Sequence, residues 1–91
     1  MNVQAEISLY PLRTEAVGPA VESFVSGLKE SSLETDTGVM STRVTGELSE
    51  VFCGISNAFA RVAEQHEAVV VLKVSNACPA ENSPATGGTD V

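Results

Sequence analysis

Ninety-one residues carry a net charge of −7, from 12 acidic and 5 basic side chains. A chain this short makes one domain with a thin core, burying only about 60–65% of its unfolded surface. Its five cations, Arg13, Lys29, Arg43, Arg61 and Lys73, are scattered, which excludes the clustered basic surface that nucleic-acid binding needs.

Residues 3–10 alternate, with Val3, Ala5, Ile7 and Leu9 on one face and Gln4, Glu6, Ser8 and Tyr10 on the other. A period of two is the pattern of a half-buried strand, and Pro11 is expected to stop it. Arg13 to Gly18 reads as a loop. Gly18-Pro19 can open a helix, because proline at the first helical position gives up an N–H that has no partner anyway. Ala20, Val21, Phe24, Val25 and Leu28 follow at helical spacing as one apolar stripe.

Ser31-Ser32 breaks that pattern. Leu33 to Thr37 predicts a short strand, and Gly38 a turn. Residues 39–45 alternate again, with Met40, Thr42 and Val44 against Ser41, Arg43 and Thr45, and Gly46 closes the strand. Ser49 is a suitable cap for a second helix. That helix carries a stripe of Val51, Phe52, Ile55, Ala58, Phe59, Val62 and Ala63, and Gly54 inside it permits close packing. Residues 68–75 predict a last, β-branched strand. Val70, Leu72 and Val74 face the helices there, while Val69 and Val71 point outward beside Lys73 and suit a subunit interface.

The order strand, helix, strand, strand, helix, strand predicts an α+β fold of the ferredoxin-like βαββαβ type. It has a four-stranded antiparallel sheet with both helices on one face. The domain is expected over residues 1–78. Residues 79–91, rich in Pro, Gly, Ser and Thr, are expected as a flexible tail.

Residues suited to catalysis are sparse. His66 is the only histidine and falls near the end of the second helix, where a cation has a structural use. Cys53 is expected to be buried beside Phe52. Cys78 follows the last strand with no base nearby, so a small hydrolase built on it has little support. The two cysteines form no CxxC, no glycine-rich phosphate loop is present, and no Gly-x-Ser-x-Gly elbow occurs. No apolar stretch approaches the about 20 residues of a membrane span, and no basic run precedes an apolar one at the N-terminus. The expectation is a cytoplasmic protein with reduced thiols and no metal.

Binding is the better-supported class. Three polar segments sit at strand ends: Ser8-Leu9-Tyr10-Pro11-Leu12, Ser41-Thr42 and Val74-Ser75. Strand-end hydroxyls and main-chain groups can read the donor and acceptor edge of a flat heteroaromatic ring, and Tyr10 can supply a ring face.

The stretches Ile7-Ser8-Leu9-Tyr10-Pro11-Leu12, Met40-Ser41-Thr42 with Gly46, Glu50-Val51-Phe52, and Val74-Ser75 with Cys78-Pro79 span nearly the whole chain up to the tail. In them the chain resembles the YkoF-type and related MTH1187-type thiamine-binding proteins. The resemblance implies non-enzymatic binding of thiamine or its hydroxymethylpyrimidine half, as a carrier or sensor in salvage or transport, with no other cofactor. It implies ligand contacts at Ser8, Leu9 (through its main chain), Tyr10, Ser41 and Thr42. YkoF-type chains carry two such repeats and this one carries one, so a homodimer or homotetramer would restore the arrangement. Ala77 and Ala80 stand where glycines usually flank Cys-Pro, a departure from the family pattern. Glu6 and Glu47 are candidate neighbours for a cationic thiazolium. The alternative is a regulatory module that docks a protein partner through its open sheet.

Overall fold

In the computed structural model of the chain, the alternation that begins at Val3 forms β1 (Asn2–Leu12), the longest strand. The structure describes residues 1–38 and 41–77, so Met40, Cys78 and the expected tail lie outside the described residues. After β1 come α1 (Val17–Lys29), β2 (Glu34–Thr37), β3 (Thr42–Glu47), α2 (Leu48–Ala63) and β4 (Glu67–Ser75). The four strands form one antiparallel sheet in the order β2-β3-β1-β4. This is the expected ferredoxin-like βαββαβ arrangement.

Both helices pack on the sheet face carrying Val3, Ala5, Ile7 and Val44, all buried. From α1, Ala20, Phe24 and Leu28 enter the core at four-residue spacing. From α2 the buried set is Val51, Gly54, Ile55, Ala58 and Val62. Each large side chain removed from water there contributes about 1.5–3 kcal/mol. Leu33, just before β2, fixes one end of this layer. A Cβ at Gly54 would stand 2.8 Å from one Leu33 methyl, and a Cβ at Gly46 would stand 2.6 Å from the other. The helical glycine therefore makes the seat for a leucine, and this close approach outweighs its cost of about 1 kcal/mol in helix propensity.

Several expectations needed correction. Pro11 does not end β1; it lies inside the strand, opposite Ala68. β3 begins at Thr42, opposite Ile7, so at Pro11 the strand has a partner on one side only, and a missing N–H is tolerated at such an edge. The break comes at Arg13, whose φ of 53° is left-handed, and its guanidinium pairs with Glu67. α1 starts two residues before Pro19, at Val17, which leaves Pro19 still within the first turn, where no helical bond is lost.

Glu47, not Ser49, caps α2. Its carboxylate accepts from the Ser49 backbone N–H at 3.0 Å and from the Ser49 hydroxyl at 2.7 Å, and these bonds hold its pKa below the usual carboxylate value. Phe52, 46% exposed, and Ala63 lie outside the buried stripe. Cys53 is exposed as well, and its sulfur accepts from the Asn57 amide at 3.7 Å. The stripe that starts at Val51 turns the next two residues to solvent, because each step along a helix rotates by about 100°.

Candidate functional site

β1 outruns β3. Beyond Ile7, β1 is paired on one side only, by β4, and the first turns of α1 pass over the unpaired side. The notch left between them is a cavity of about 180 Å³. Ile7, Ser8 and Leu9 of β1 form its floor, and Val21, Phe24 and Val25 of α1 form its apolar wall. The third side comes from the β2–β3 hairpin, through Thr37, Gly38, Ser41 and Thr42. The Gly38 N–H donates to the Ser41 carbonyl at 2.8 Å and holds the described ends of that hairpin together.

No lining residue among those described is ionisable. Among the described residues Thr42 is the one buried polar side chain, at 6% exposure, and it lies opposite Thr37 in the hairpin register. An apolar slot with a few hydroxyl and main-chain groups can orient an uncharged polar ring. Among the described residues its lining holds no base, no nucleophile with an activating partner and no charged clamp. Among the described residues no group of three His, Cys, Asp or Glu could hold a metal ion.

Ser8, Leu9, Ser41 and Thr42 thus meet at one cavity. Ser41 is also tied outward, its hydroxyl donating to Glu6 at 2.8 Å on the open sheet face. Tyr10 is not brought to the cavity. It lies opposite Val69 on the open face and is 53% exposed.

Ser75 does not join either. It pairs with Gln4, nearer the other end of the sheet, in a separate depression of about 280 Å³ with Glu6, Arg43 and Lys73. Three strand-end segments therefore reduce to two at this site. In an antiparallel pair the end of one strand meets the start of the other, so the end of β4 meets the beginning of β1. Glu47 is occupied at the α2 terminus and with the amino group of Met1, and Glu6 faces the opposite side of the sheet from α1. Neither carboxylate lines the cavity. His66 has its backbone N–H donating to Val62 at 3.0 Å, as part of the α2 terminus.

The sequence reading missed Val21, Val25 and Thr37 as cavity residues. Val21 and Val25 look like core, because they widen the α1 stripe. They are only partly buried, and the signal was available in the stripe being wider than Ala20, Phe24 and Leu28 alone require.

Comparison with known proteins places this geometry. The model of a family described as Thiamine-binding protein matches residues 5–84. Among solved structures, the chain is similar to hypothetical protein MJ1052 from Methanocaldococcus jannascii, with 27% identity and a TM-score of 0.78 over 90% of this chain and 87% of that one. It is similar in fold to a putative thiamine biosynthesis/salvage protein, TM0486, from Thermotoga maritima, with 14% identity and a TM-score of 0.74 over 81% and 82% of the two chains. A domain of unknown function, DUF77, from Bacillus cereus shares 22% identity and a TM-score of 0.73 over 98% of this chain and 83% of that one. No curated protein matches the chain. No helix among the described residues is long and apolar enough to cross a membrane.

Proposed function

The chain belongs to the thiamine-binding protein family, and we propose that it binds thiamine or the hydroxymethylpyrimidine half of it, without catalysis, as a cytoplasmic carrier or sensor. The observation that carries this reading is the uncharged cavity at the unpaired side of β1, with Thr42 buried at its edge. An aminopyrimidine presents acceptors and donors along one edge. The Thr42 hydroxyl and the main chain at Ser8, Leu9 and Ser41 can answer them, since a hydroxyl both donates and accepts and each main-chain unit carries a donor and an acceptor.

Size and charge favour the pyrimidine end. The cavity, at about 180 Å³, is smaller than the about 300 Å³ at the low end of drug-sized sites. It suits one ring better than two. A cationic thiazolium would gain nothing from an apolar wall with no carboxylate, so it is proposed to stay at the mouth, where the net charge of −7 favours it. The exposed apolar side chains of the open sheet face, Tyr10, Val69 and Val71, support a homodimer or homotetramer.

Isothermal titration with hydroxymethylpyrimidine and with thiamine tests the reading. Saturable heat with either ligand supports it. Absence of heat and of any thermal shift at millimolar ligand overturns it.

A further inference from the structure

The hairpin between β2 and β3 forms one side of the cavity, and the sheet ladder holds it only as far as Thr42. The register of β1 with β3 ends at the Ile7–Thr42 pair, and that of β2 with β3 at Thr37–Thr42. Past those pairs the Gly38 N–H donates to the Ser41 carbonyl at 2.8 Å, which closes the described ends of the hairpin on themselves. That bond does not fasten them to β1. Among the described residues the tie to β1 is a side chain: the Ser41 hydroxyl donates to the Glu6 carboxylate at 2.8 Å.

Glu6 and the cavity lie on opposite faces of the sheet. Successive residues of an extended chain point to opposite sides. Ser41 therefore carries its side chain outward to Glu6, while Thr42, buried, carries its own inward. Ser41 meets the cavity through its main chain. Holding the Ser41 side chain fixes the peptide unit that follows it, and with that unit the direction of the Thr42 hydroxyl.

On the reading of this cavity as a pyrimidine site, we propose that Glu6 is a positioning residue for ligand binding. From the far face of the sheet it pins Ser41, and so sets the Ser41 main chain and the Thr42 hydroxyl toward the ring. Two cations flank the carboxylate: Arg43 and Lys73 lie directly opposite Glu6, on β3 and β4. Arg43 turns instead to Asp36 at 3.3 Å, and among the described residues neither cation forms an ion pair with Glu6. The carboxylate is left to Ser41. Ser41 comes two residues before Arg43, so the bond runs along a diagonal of the strand pair, within reach of a long side chain.

Isothermal titration of the full chain with hydroxymethylpyrimidine tests the role. Glu6→Ala should weaken binding about fivefold, the size of one hydrogen bond. Glu6→Gln keeps an oxygen that can accept from Ser41, and should restore affinity to within about twofold of the unaltered chain. Ser41→Ala removes the donor and keeps the main chain that lines the cavity, so its loss should match that of Glu6→Ala. In the double variant the loss should stay at about fivefold, because both changes remove the same interaction. Glu6 is exposed, so its variants keep the fold.

Amide hydrogen exchange in the ligand-free chain reads the same tie without a ligand. The Gly38 N–H, bonded to the Ser41 carbonyl, should exchange about fivefold faster in Glu6→Ala and at the unaltered rate in Glu6→Gln. Should the unaltered chain give no heat with hydroxymethylpyrimidine, the pyrimidine reading falls, and the Gly38 exchange by itself decides whether Glu6 positions the hairpin. Where the chain binds, unchanged affinity in Glu6→Ala overturns the proposal. So does unchanged Gly38 exchange in Glu6→Ala, an additive loss in the double variant, or a loss in Glu6→Gln as large as that in Glu6→Ala.

Discussion

The two ends of the layer between helices and sheet have opposite fates. At the end near Val3, Leu33 is wedged between Gly46 and Gly54 and the space is filled. At the end near Ile7, beyond the first residue of β3 and beneath α1, a cavity remains. The same sheet, the same helices and similar aliphatic residues make both ends. The difference is one leucine supplied by a connecting segment. The absence of two Cβ atoms at Gly46 and Gly54 makes room for that leucine, whereas the described hairpin residues that line the other end, Thr37, Gly38, Ser41 and Thr42, are small. A sealed end gives stability, and an unsealed end with hydroxyls gives a place for a ligand.

The largest test breaks the sealed end. Leu33→Ala should destabilise the fold by about 2–5 kcal/mol in chemical denaturation, because it opens a void in the core. Gly54→Val should cost about 1–3 kcal/mol by overfilling the same seat. Neither should change hydroxymethylpyrimidine affinity more than about twofold, measured on the folded fraction at low temperature; a large loss would mean that the two ends are coupled.

The complementary test seals the open end. Val25→Phe should abolish detectable ligand heat while shifting stability by less than about 1.5 kcal/mol, since the added ring occupies existing space. Thr42→Val keeps the shape and removes the hydroxyl. A fall in affinity of about tenfold is expected, from the loss of one hydrogen bond worth about 0.5–1.5 kcal/mol and the ligand group left unpaired, with little change in melting temperature. Unchanged affinity in Thr42→Val would remove Thr42 from the site.

The smallest effect concerns pH. Hydrogen bonds from Ser49, side chain first and backbone second, hold Glu47 below the ordinary carboxylate value of 4.5. The hydrogen bond and charge of Arg61 hold Glu30 below it too. A carboxyl with a lowered folded pKa adds stability that is full above the unfolded value and lost as the pH falls through the folded one. Thermal melts should therefore show stability declining as the pH falls below 4.5, with a shallower decline in Glu47→Gln. Both groups are exposed, so the effect is slight and weakens in salt.

Much of this protein was written locally. The two-residue period of β1, the four-residue spacing of Ala20, Phe24 and Leu28, and the β-branched run before Ser75 each follow from a repeat that one element satisfies by itself. Those repeats fix the element order, and the order leaves few ways to close a sheet. The polar strand ends at Ser8-Leu9 and Ser41-Thr42 were legible for the same reason.

Which strand ends meet was not legible. Antiparallel register carries Ser75 to Gln4 and away from Ser8, and the alternation that buries Leu9 turns Tyr10 to the opposite face. A local pattern cannot show that β1 outruns β3, because strand overlap depends on where a partner far along the chain begins. Nor can it show that Gly54 is the floor of a socket for Leu33. By itself the sequence determined the elements and their faces, since each is set by neighbours within about two turns or a few strand residues. The tertiary structure alone decided which end of the layer was filled and which left open, because packing is settled between residues that only the fold brings together.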